Sequence, residues 1–198
     1  KVYVSTDSEK IKEISRKYGA EVIDRPAELC SAKALGQDAF VHGYRVIQDE
    51  LKKEGKEVEF IALMHCNAPT ILARHIDEGV KILQEHPDYD SVITVGKYNM
   101  YHPNRMRNIN KDGLIEPFVP LTAFGAPATM SCDRDSAGDA WLADVALSLV
   151  RRRCLENIDQ GLKPQQWMGQ KIYPIENEAG LDIDFEWQWG QIEWWLKN

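Results

Sequence analysis

Short runs of β-branched and aromatic residues alternate with amphipathic runs along the first part of the chain. The N-terminus begins with KVYVS, which predicts a strand, and a second strand is predicted at AEVIDRP, where Pro26 ends it. Between the two strands, EKIKEISRKY places Ile11 and Ile14 on one side of a helix. Thr6 and Glu9 have the spacing of a capping box, so we predict that this helix starts there.

The same alternation continues through the middle of the chain. It predicts one amphipathic helix at DAFVHGYRVIQDELKKEG and another at ARHIDEGVKILQEH. It also predicts two strands, EFIALMHC and SVITVGKY, and the first is so uniformly apolar that we expect it to be covered on both faces. Strands that alternate with helices are typical of an α/β layered domain.

The pattern is less regular from Asn99 to Gly138, where turn residues are frequent and periodicity is weak. We interpret this segment as an insertion with short strands. The run DAWLADVALSLVRRRCL that follows fits either a buried strand leading into a helix or one long helix. The chain then has the pattern of a last strand at QKIYPIE and of a closing amphipathic helix at FEWQWGQIEWWLKN.

Composition narrows the class of protein. The 198 residues are 43% hydrophobic and 28% charged, as expected for one globular domain. A net charge of −7 argues against a nucleic-acid-binding surface, although an acidic protein still binds a nucleotide through a divalent cation. No apolar run approaches the roughly 20 residues that span a bilayer, and the N-terminus lacks the apolar stretch of a signal peptide. The four cysteines are scattered, so we expect free thiols in a reducing cytoplasm.

Two aspartates near the C-terminus are the first candidate site. Asp182 and Asp184 flank Ile183 in GLDIDFEWQW. In a strand the two carboxylates would point to one face, about 6–7 Å apart at their bases, and would converge on one hydrated Mg²⁺. A parallel strand would place them at the crevice outside the carboxyl ends of the sheet. A structural explanation competes with this one: Asp184 caps the closing helix and Asp182 is solvated.

The second candidate lies in VSTDSEK, where a predicted strand ends and a predicted helix begins. Ser5, Thr6 and Asp7 occupy this junction, and phosphate or ribose oxygens bind well at such a position. Helix capping explains the same residues equally simply.

Taken in order, several segments resemble the acylneuraminate cytidylyltransferase family, the CMP-sialic acid synthetases. VYVSTDSEKIKEISRKYGAEVIDRPAEL is similar to the family's strand, helix and strand that end in R-P-x-x-L. FIALMHCNAPTILARHIDEGVKIL resembles its L-L-Q-P-T-S-P-L-R block with the following helix, and HPNRM and DGL resemble features of its insertion. GLDIDFEWQW resembles its closing S-x-D-I-D-T-x-x-D. The resemblance covers nearly the whole chain.

The resemblance implies a single Rossmann-like three-layer α/β domain over residues 1–198, with a mainly parallel sheet. It also implies a homodimer to which the insertion, about 99–138, contributes. The family joins CTP to an acidic nine-carbon sugar in the presence of Mg²⁺ and releases pyrophosphate. Site residues follow by resemblance: Asp182 and Asp184 bind the metal, and Arg25 of the R-P-x-x-L motif binds the nucleotide together with Ser5, Thr6 and Asp7.

This sequence departs from the family pattern at the sugar pocket and at the N-terminus. His65 and Asn67 replace the family's glutamine and threonine and are candidate sugar-binding residues, although His65 also fits a buried, hydrogen-bonded strand histidine. Ile71 replaces an arginine, and CSAKALG replaces an acidic and hydroxyl-rich stretch. The family's first strand and its triphosphate-binding loop have no counterpart here, so we expect no pyrophosphate release from this chain alone.

Two other functions compete with this interpretation. A degenerate relative would bind a nucleotide or a partner protein without catalysis. A D-x-D glycosyltransferase would share the acidic pair, but its D-x-D normally follows an internal strand with much chain after it. Here the acidic pair lies close to the C-terminus, which disfavours that class.

Overall fold

The computed structural model describes residues 1–31, 33–125, 128, 130–180 and 182–198. The chain divides into two compact units. The first comprises Lys1–Leu63, Ile76–Ile93 and Ser148–Tyr173, and the second comprises Met64–His75, Thr94–Leu147 and Pro174–Asn198.

The first unit begins with a strand, a helix and a strand, as the sequence predicts. Strand β1 (Tyr3–Thr6) pairs in parallel with β2 (Glu21–Asp24), and helix α1 (Glu9–Lys17) connects them. The predicted capping box is wrong, because the N-cap of α1 is Ser8 and makes no side-chain capping bond. The Thr6 hydroxyl instead accepts the backbone N–H of Ser8 at 3.2 Å, which forms a turn before the helix begins.

Helix α2 (Gly36–Lys53) packs its apolar side against the core of the first unit, so its predicted amphipathic pattern is confirmed. Helices α3 (Ala73–Glu85) and α4 (Arg152–Glu156) also have residues in this unit. The core cluster consists of Tyr44, Val58, Leu63, Val150, Cys154 and Leu155.

Four strands form the larger sheet, in the order β3, β7, β4, β8. Their bounds are Phe60–Met64, Trp141–Arg151, Ser91–Lys97 and Ile172–Glu176, respectively. Tyr98 N–H bonds to Ala140 O and Arg151 N–H bonds to Asp90 O, so β7 runs antiparallel to β4. The α/β fold class is confirmed, and the sheet is mixed rather than mainly parallel because the insertion, not a helical crossover, connects β4 to β7.

Burial differs from the prediction for β3. Met64 is 46% exposed and Ala62 is also exposed, because β3 lies at the edge of the four-stranded sheet. Six of the seven residues of β4 are buried, so β4 is the strand that is covered on both faces. The ambiguous run after the insertion is a strand, β7, that leads directly into the short helix α4.

The second unit contains the irregular insertion. Its short strands β5 (Arg107–Ile109) and β6 (Ile115–Pro117) form an antiparallel hairpin. The Asn99 amide donates to Asp135 and Asp139 and accepts from the N–H of Ala140, so one buried side chain joins the two ends of the segment. The chain ends with α5 (Gln188–Lys197). Of the described residues, none belongs to a helix that is long and apolar enough to cross a membrane.

Candidate functional site

The two aspartates lie in an irregular segment of the second unit, between β8 and α5. The predicted strand geometry is wrong, because Asp182 and Asp184 belong to no strand. The backbone N–H of Ile183 between them donates to the carbonyl oxygen of Asn67 at 2.8 Å, outside any sheet ladder. Leu181, the preceding residue, lies outside the described residues. Both aspartates are exposed.

Helix capping does not account for Asp184. The N-cap of α5 is Trp187, without a side-chain capping bond. The side chain of Gln188 accepts the N–H groups of Asp184 and Phe185, at 2.7 and 2.6 Å, and so stabilises the turn before the helix. Neither Asp182 nor Asp184 takes part in an ion pair among the described residues. Among the described residues, these two exposed carboxylates thus make no ion pair and do not cap α5.

Strand β7 of the same unit holds a third carboxylate, that of Asp144. Asp144 accepts hydrogen bonds from the Thr94 hydroxyl, from the Asn177 amide at 2.8 Å and from the N–H of Ala146 at 3.0 Å. The next residue, Val145, has a φ of 51°, which is rare for a β-branched residue. We call residues Asp144 and Val145 the β7 kink.

The β7 kink contacts His65, which follows the end of β3. Nδ1 of the half-buried His65 ring lies 2.8 Å from the carbonyl oxygen of Val145. Asn67, two residues further on, is exposed. The structure therefore brings His65, Asn67 and the Asp182–Asp184 segment to one part of the second unit.

Tyr98 and Gly180 connect the kink to the acidic pair. The Tyr98 hydroxyl donates to the carbonyl oxygen of Gly180 at 2.8 Å. Burial raises the pKa of Tyr98, and the nearby carboxylates of Asp144 and Asp182 raise it further. A Cβ at position 180 would lie 2.6 Å from Oδ2 of Asp144, so only glycine fits without displacing that carboxylate.

Sequence reasoning missed the supporting residues Tyr98, Asp144 and Asn177. Asp144 could have been noticed in the sequence, since it is the one charged residue of WLADVALSLV, a run that is otherwise apolar except for Ser148. Nothing in the sequence indicated its partners, because Thr94 and Asn177 are distant in sequence and bond to Asp144 only in the folded chain.

In the first unit, the candidate nucleotide-binding residues lie at the carboxyl ends of β1 and β2. Arg25 donates through Nε to the Ser5 hydroxyl at 3.2 Å and through Nη2 to the Ser5 carbonyl oxygen at 2.6 Å. Asp7 is exposed and lies beside Cys30, where burial raises the pKa of the thiol and the Asp7 carboxylate raises it further. Thr6 is buried, and its hydroxyl accepts the backbone N–H of Ser8 in the turn before α1.

The part of the chain that the structure describes offers few ligands for a metal. The described residues contain no group of three or more His, Cys, Asp or Glu side chains that could hold a metal ion. Asp182 and Asp184 therefore supply at most an incomplete coordination shell, which other oxygen atoms would have to complete.

Curated proteins of one type are similar to this chain. It is 33% identical over 99 residues to N-acylneuraminate cytidylyltransferase of Escherichia coli O18:K1:H7 (strain RS218 / NMEC), covering 50% of this chain and 22% of that protein. It is 26% identical over 192 residues to N-acylneuraminate cytidylyltransferase A of Danio rerio, covering 97% of this chain and 40% of that protein. N-acylneuraminate cytidylyltransferase of Oncorhynchus mykiss is 23% identical over 186 residues, covering 94% of this chain and 38% of that protein. The chain thus spans less than half the length of these relatives, and no protein-family model matches it.

A solved structure confirms the fold. The structure of CMP:2-keto-3-deoxy-manno-octonic acid synthetase complexed with CTP superposes with a TM-score of 0.62 at 14% sequence identity, over 100% of this chain and 80% of that one. The three relatives confirm the resemblance of this chain to the acylneuraminate cytidylyltransferases.

Proposed function

We propose that this chain carries the metal, nucleotide and sugar sites of a nucleotidyltransferase that couples CTP to an acidic nine-carbon sugar. The products are a CMP-sugar and pyrophosphate. The observation that carries the proposal is the pair of exposed carboxylates, Asp182 and Asp184, which form no ion pair with any described residue and whose segment is hydrogen-bonded to the backbone of Asn67. The three curated cytidylyltransferases support the class of reaction.

The donor set of this pair fits Mg²⁺. Mg²⁺ in proteins is usually bound by one or two carboxylates and completes its octahedral shell with water and substrate phosphate oxygens. Two exposed carboxylates, with no third acidic or imidazole ligand arranged beside them among the described residues, match that pattern. When bound, the ion neutralises charge on the phosphate oxygens.

Arg25 is suited to bind an anionic nucleotide. Its contacts with Ser5 use Nε and one terminal nitrogen, and they fix the plane of the guanidinium group. A guanidinium has five N–H donors, so donors remain for phosphate or base oxygens. Ser5 thus acts by positioning Arg25, and Asp7 lies on the same edge, at the carboxyl end of β1.

His65 and Asn67 are suited to bind the sugar, because both lie just beyond β3 and Asn67 contacts the segment of the acidic pair. In the proposed reaction, a hydroxyl of the sugar attacks the α-phosphorus of CTP and pyrophosphate leaves. Such a transfer depends on positioning and charge neutralisation rather than on a covalent enzyme group. The proposed role of His65 and Asn67 is therefore to bind the sugar and to orient it for attack.

We also propose that the protein is a homodimer and works in a reducing cytoplasm. Apolar side chains are concentrated on the insertion: Ile109 and Ile115 are 71% and 72% exposed, and Phe118 is 63% exposed. A second copy of the same surface is the commonest partner for such a patch. The free cysteines include Cys66 and Cys132, both exposed, which fits a reducing compartment.

Isothermal titration of CTP, with and without Mg²⁺, tests the proposed function. The Asp182→Asn and Asp184→Asn variants should each lose most of the Mg²⁺-dependent gain in CTP affinity, because each removes one anionic ligand of the ion. Glu186→Gln is the matched control, since it neutralises an exposed carboxylate of the same segment and should bind as the unmodified chain does. Equal Mg²⁺-dependent affinity in all four proteins would overturn the metal role of the pair.

A further inference from the structure

The hydroxyl of Tyr98 is bonded to the chain just before the acidic pair. It donates to the carbonyl oxygen of Gly180 at 2.8 Å, two residues before Asp182. On the other side of Asp182 in the chain, the N–H of Ile183 donates to the carbonyl oxygen of Asn67. The backbone is therefore anchored before and after Asp182, once by a side chain and once by main-chain atoms.

The ring of Tyr98 packs directly on strand β4. Gly96, two residues earlier, approaches the ring so closely that a Cβ there would lie 2.5 Å from Cε2 of Tyr98. The backbone N–H of Tyr98 also donates to the carbonyl oxygen of Ala140 at 2.9 Å. Because both the ring and the backbone of Tyr98 are held, its hydroxyl oxygen has a defined position, and the hydrogen bond to Gly180 fixes the segment relative to β4.

Gly180 also contacts a carboxylate that is itself held in place. A Cβ at position 180 would lie 2.6 Å from Oδ2 of Asp144, so the backbone of Gly180 packs on that carboxylate. The carboxylate accepts hydrogen bonds from Asn177, from Thr94 and from the N–H of Ala146. Gly180 thus lies between a hydrogen-bond donor and a fixed carboxylate, which leaves this point of the chain little freedom.

We propose that Tyr98 is a positioning residue for the metal site, whose hydrogen bond to Gly180 holds the backbone that carries Asp182 and Asp184 in the conformation that binds Mg²⁺. Asp144 restricts the same backbone by its contact with Gly180. Exposed carboxylates benefit from such anchoring, because a preorganised segment loses little backbone freedom when an ion binds. The anchoring is independent of the proposed function, whereas its consequence for Mg²⁺ rests on it.

Amide hydrogen exchange of the ligand-free protein tests the anchoring. Tyr98→Phe removes only the hydroxyl group, and the N–H of Ile183 should then exchange about three- to tenfold faster, as expected for the loss of one hydrogen bond. The N–H of Asn177, which donates to the carbonyl oxygen of Val95 in β4, is the internal reference and should keep its rate. An unchanged rate at Ile183, or an equal acceleration at both amides, would overturn the positioning role.

Calorimetric titration of CTP, with and without Mg²⁺, tests the consequence for the metal. Tyr98→Phe should reduce the Mg²⁺-dependent gain in affinity by about three- to tenfold and leave the Mg²⁺-free affinity unchanged. Tyr101→Phe is the matched control, because it removes the hydroxyl of a tyrosine that is 62% exposed, and it should bind as the unmodified chain does. A full gain in Tyr98→Phe, or an equal loss with and without Mg²⁺, would overturn the link between Tyr98 and the metal.

Gly180→Ala tests the contact with Asp144 by adding one methyl group. The new Cβ must displace either the carboxylate or the segment, so the Mg²⁺-dependent gain should fall at least as far as in Tyr98→Phe. Gly190→Ala is the matched control, because a Cβ at position 190 meets nothing within 4 Å. An undiminished gain in a folded Gly180→Ala protein would overturn the role of Asp144.

Failure of the proposed function appears separately from failure of the anchoring. If the proposed function is wrong, the unmodified chain itself shows no Mg²⁺-dependent gain in CTP affinity. The exchange rate of Ile183 in Tyr98→Phe still decides whether the hydroxyl holds the segment. Faster exchange at Ile183 in a chain that gains no affinity from Mg²⁺ would confirm the anchoring and refute its consequence for the metal.

Discussion

The backbone N–H of Ile183 donates a hydrogen bond of 2.8 Å to the carbonyl oxygen of Asn67. This bond fastens the segment between β8 and α5 to the segment that follows β3. Because both partners are main-chain atoms, the position of Asp182 and Asp184 does not depend on the side chain of either residue in the bond. The acidic pair is thus held by the backbone and remains exposed to solvent.

The left-handed conformation of Val145 predicts an inverted order of stability for two substitutions. At an ordinary strand position, alanine is more stable than glycine by roughly 0.5–1 kcal/mol. At a φ of 51° the penalty for a Cβ reverses this order, and Val145→Gly should be more stable than Val145→Ala by about 1 kcal/mol. Urea denaturation measures the difference. The same pair of substitutions at Val150 is the control, where the alanine variant should be the more stable; the same order at both positions would contradict the strain at Val145.

Asp90 should make the protein more stable at neutral pH than in acid. Burial by itself raises the pKa of Asp90, but the backbone N–H groups of Lys171 and Gln170 and the guanidinium of Arg153 outweigh it and hold the pKa below its ordinary value. A lowered carboxylate pKa contributes stability above the unfolded pKa of about 3.9, and this contribution is lost as the pH falls through the folded pKa.

Asp90→Asn should therefore cost about 2 kcal/mol of unfolding free energy at pH 7, and the difference from the unmodified chain should shrink below pH 4. Chemical denaturation at a series of pH values measures it. Asp88→Asn is the control, because the ion pair of Asp88 with Lys171 is exposed and should contribute little at any pH. A loss at Asp90 that does not depend on pH would point to packing instead of charge.

Arg25→Lys should weaken CTP binding about tenfold although it keeps the positive charge. A lysine cannot bond to both the hydroxyl and the carbonyl oxygen of Ser5 and still present a fixed donor to the nucleotide. Calorimetric titration measures the affinity for CTP. Arg16→Lys is the control, because it makes the same arginine-to-lysine exchange on the exposed surface of α1. An affinity equal to that of the control would remove Arg25 from the nucleotide site.

The insertion hairpin should determine the oligomeric state. Ile109 and Ile115 are paired across the hairpin and both are exposed, so they share one face. Replacing both with lysine should convert a dimer into a monomer, as measured by light scattering at micromolar concentration. Asn108→Lys places a charge on the opposite face and should leave the dimer intact. A monomeric unmodified chain, or a double variant that stays dimeric, would refute this surface.

Local patterns in the sequence were sufficient to predict most of the strands and helices. The strands at Tyr3–Thr6 and Ser91–Lys97 and the helix at Ala73–Glu85 lie where periodicity places them, because each buries one side or both in a way that the sequence records residue by residue. The motifs also indicated a resemblance to the acylneuraminate cytidylyltransferases, and the three similar proteins confirm that resemblance. Capping was predicted less well: the helix after β1 begins after Ser8, because the Thr6 hydroxyl bonds to Ser8 N–H within a turn.

The sequence by itself determined that two acids lie one residue apart near the C-terminus, and that strands and helices alternate before them. Only the tertiary structure decided how those acids are held. Ile183 bonds to Asn67 rather than to a neighbouring strand, so the alternation rule that the spacing suggested does not apply. The β7 kink, with Asp144 hydrogen-bonded to Thr94 and Asn177, could not be predicted from the sequence either. Hydrogen bonds between residues that are distant in the chain produce no periodic pattern in the sequence.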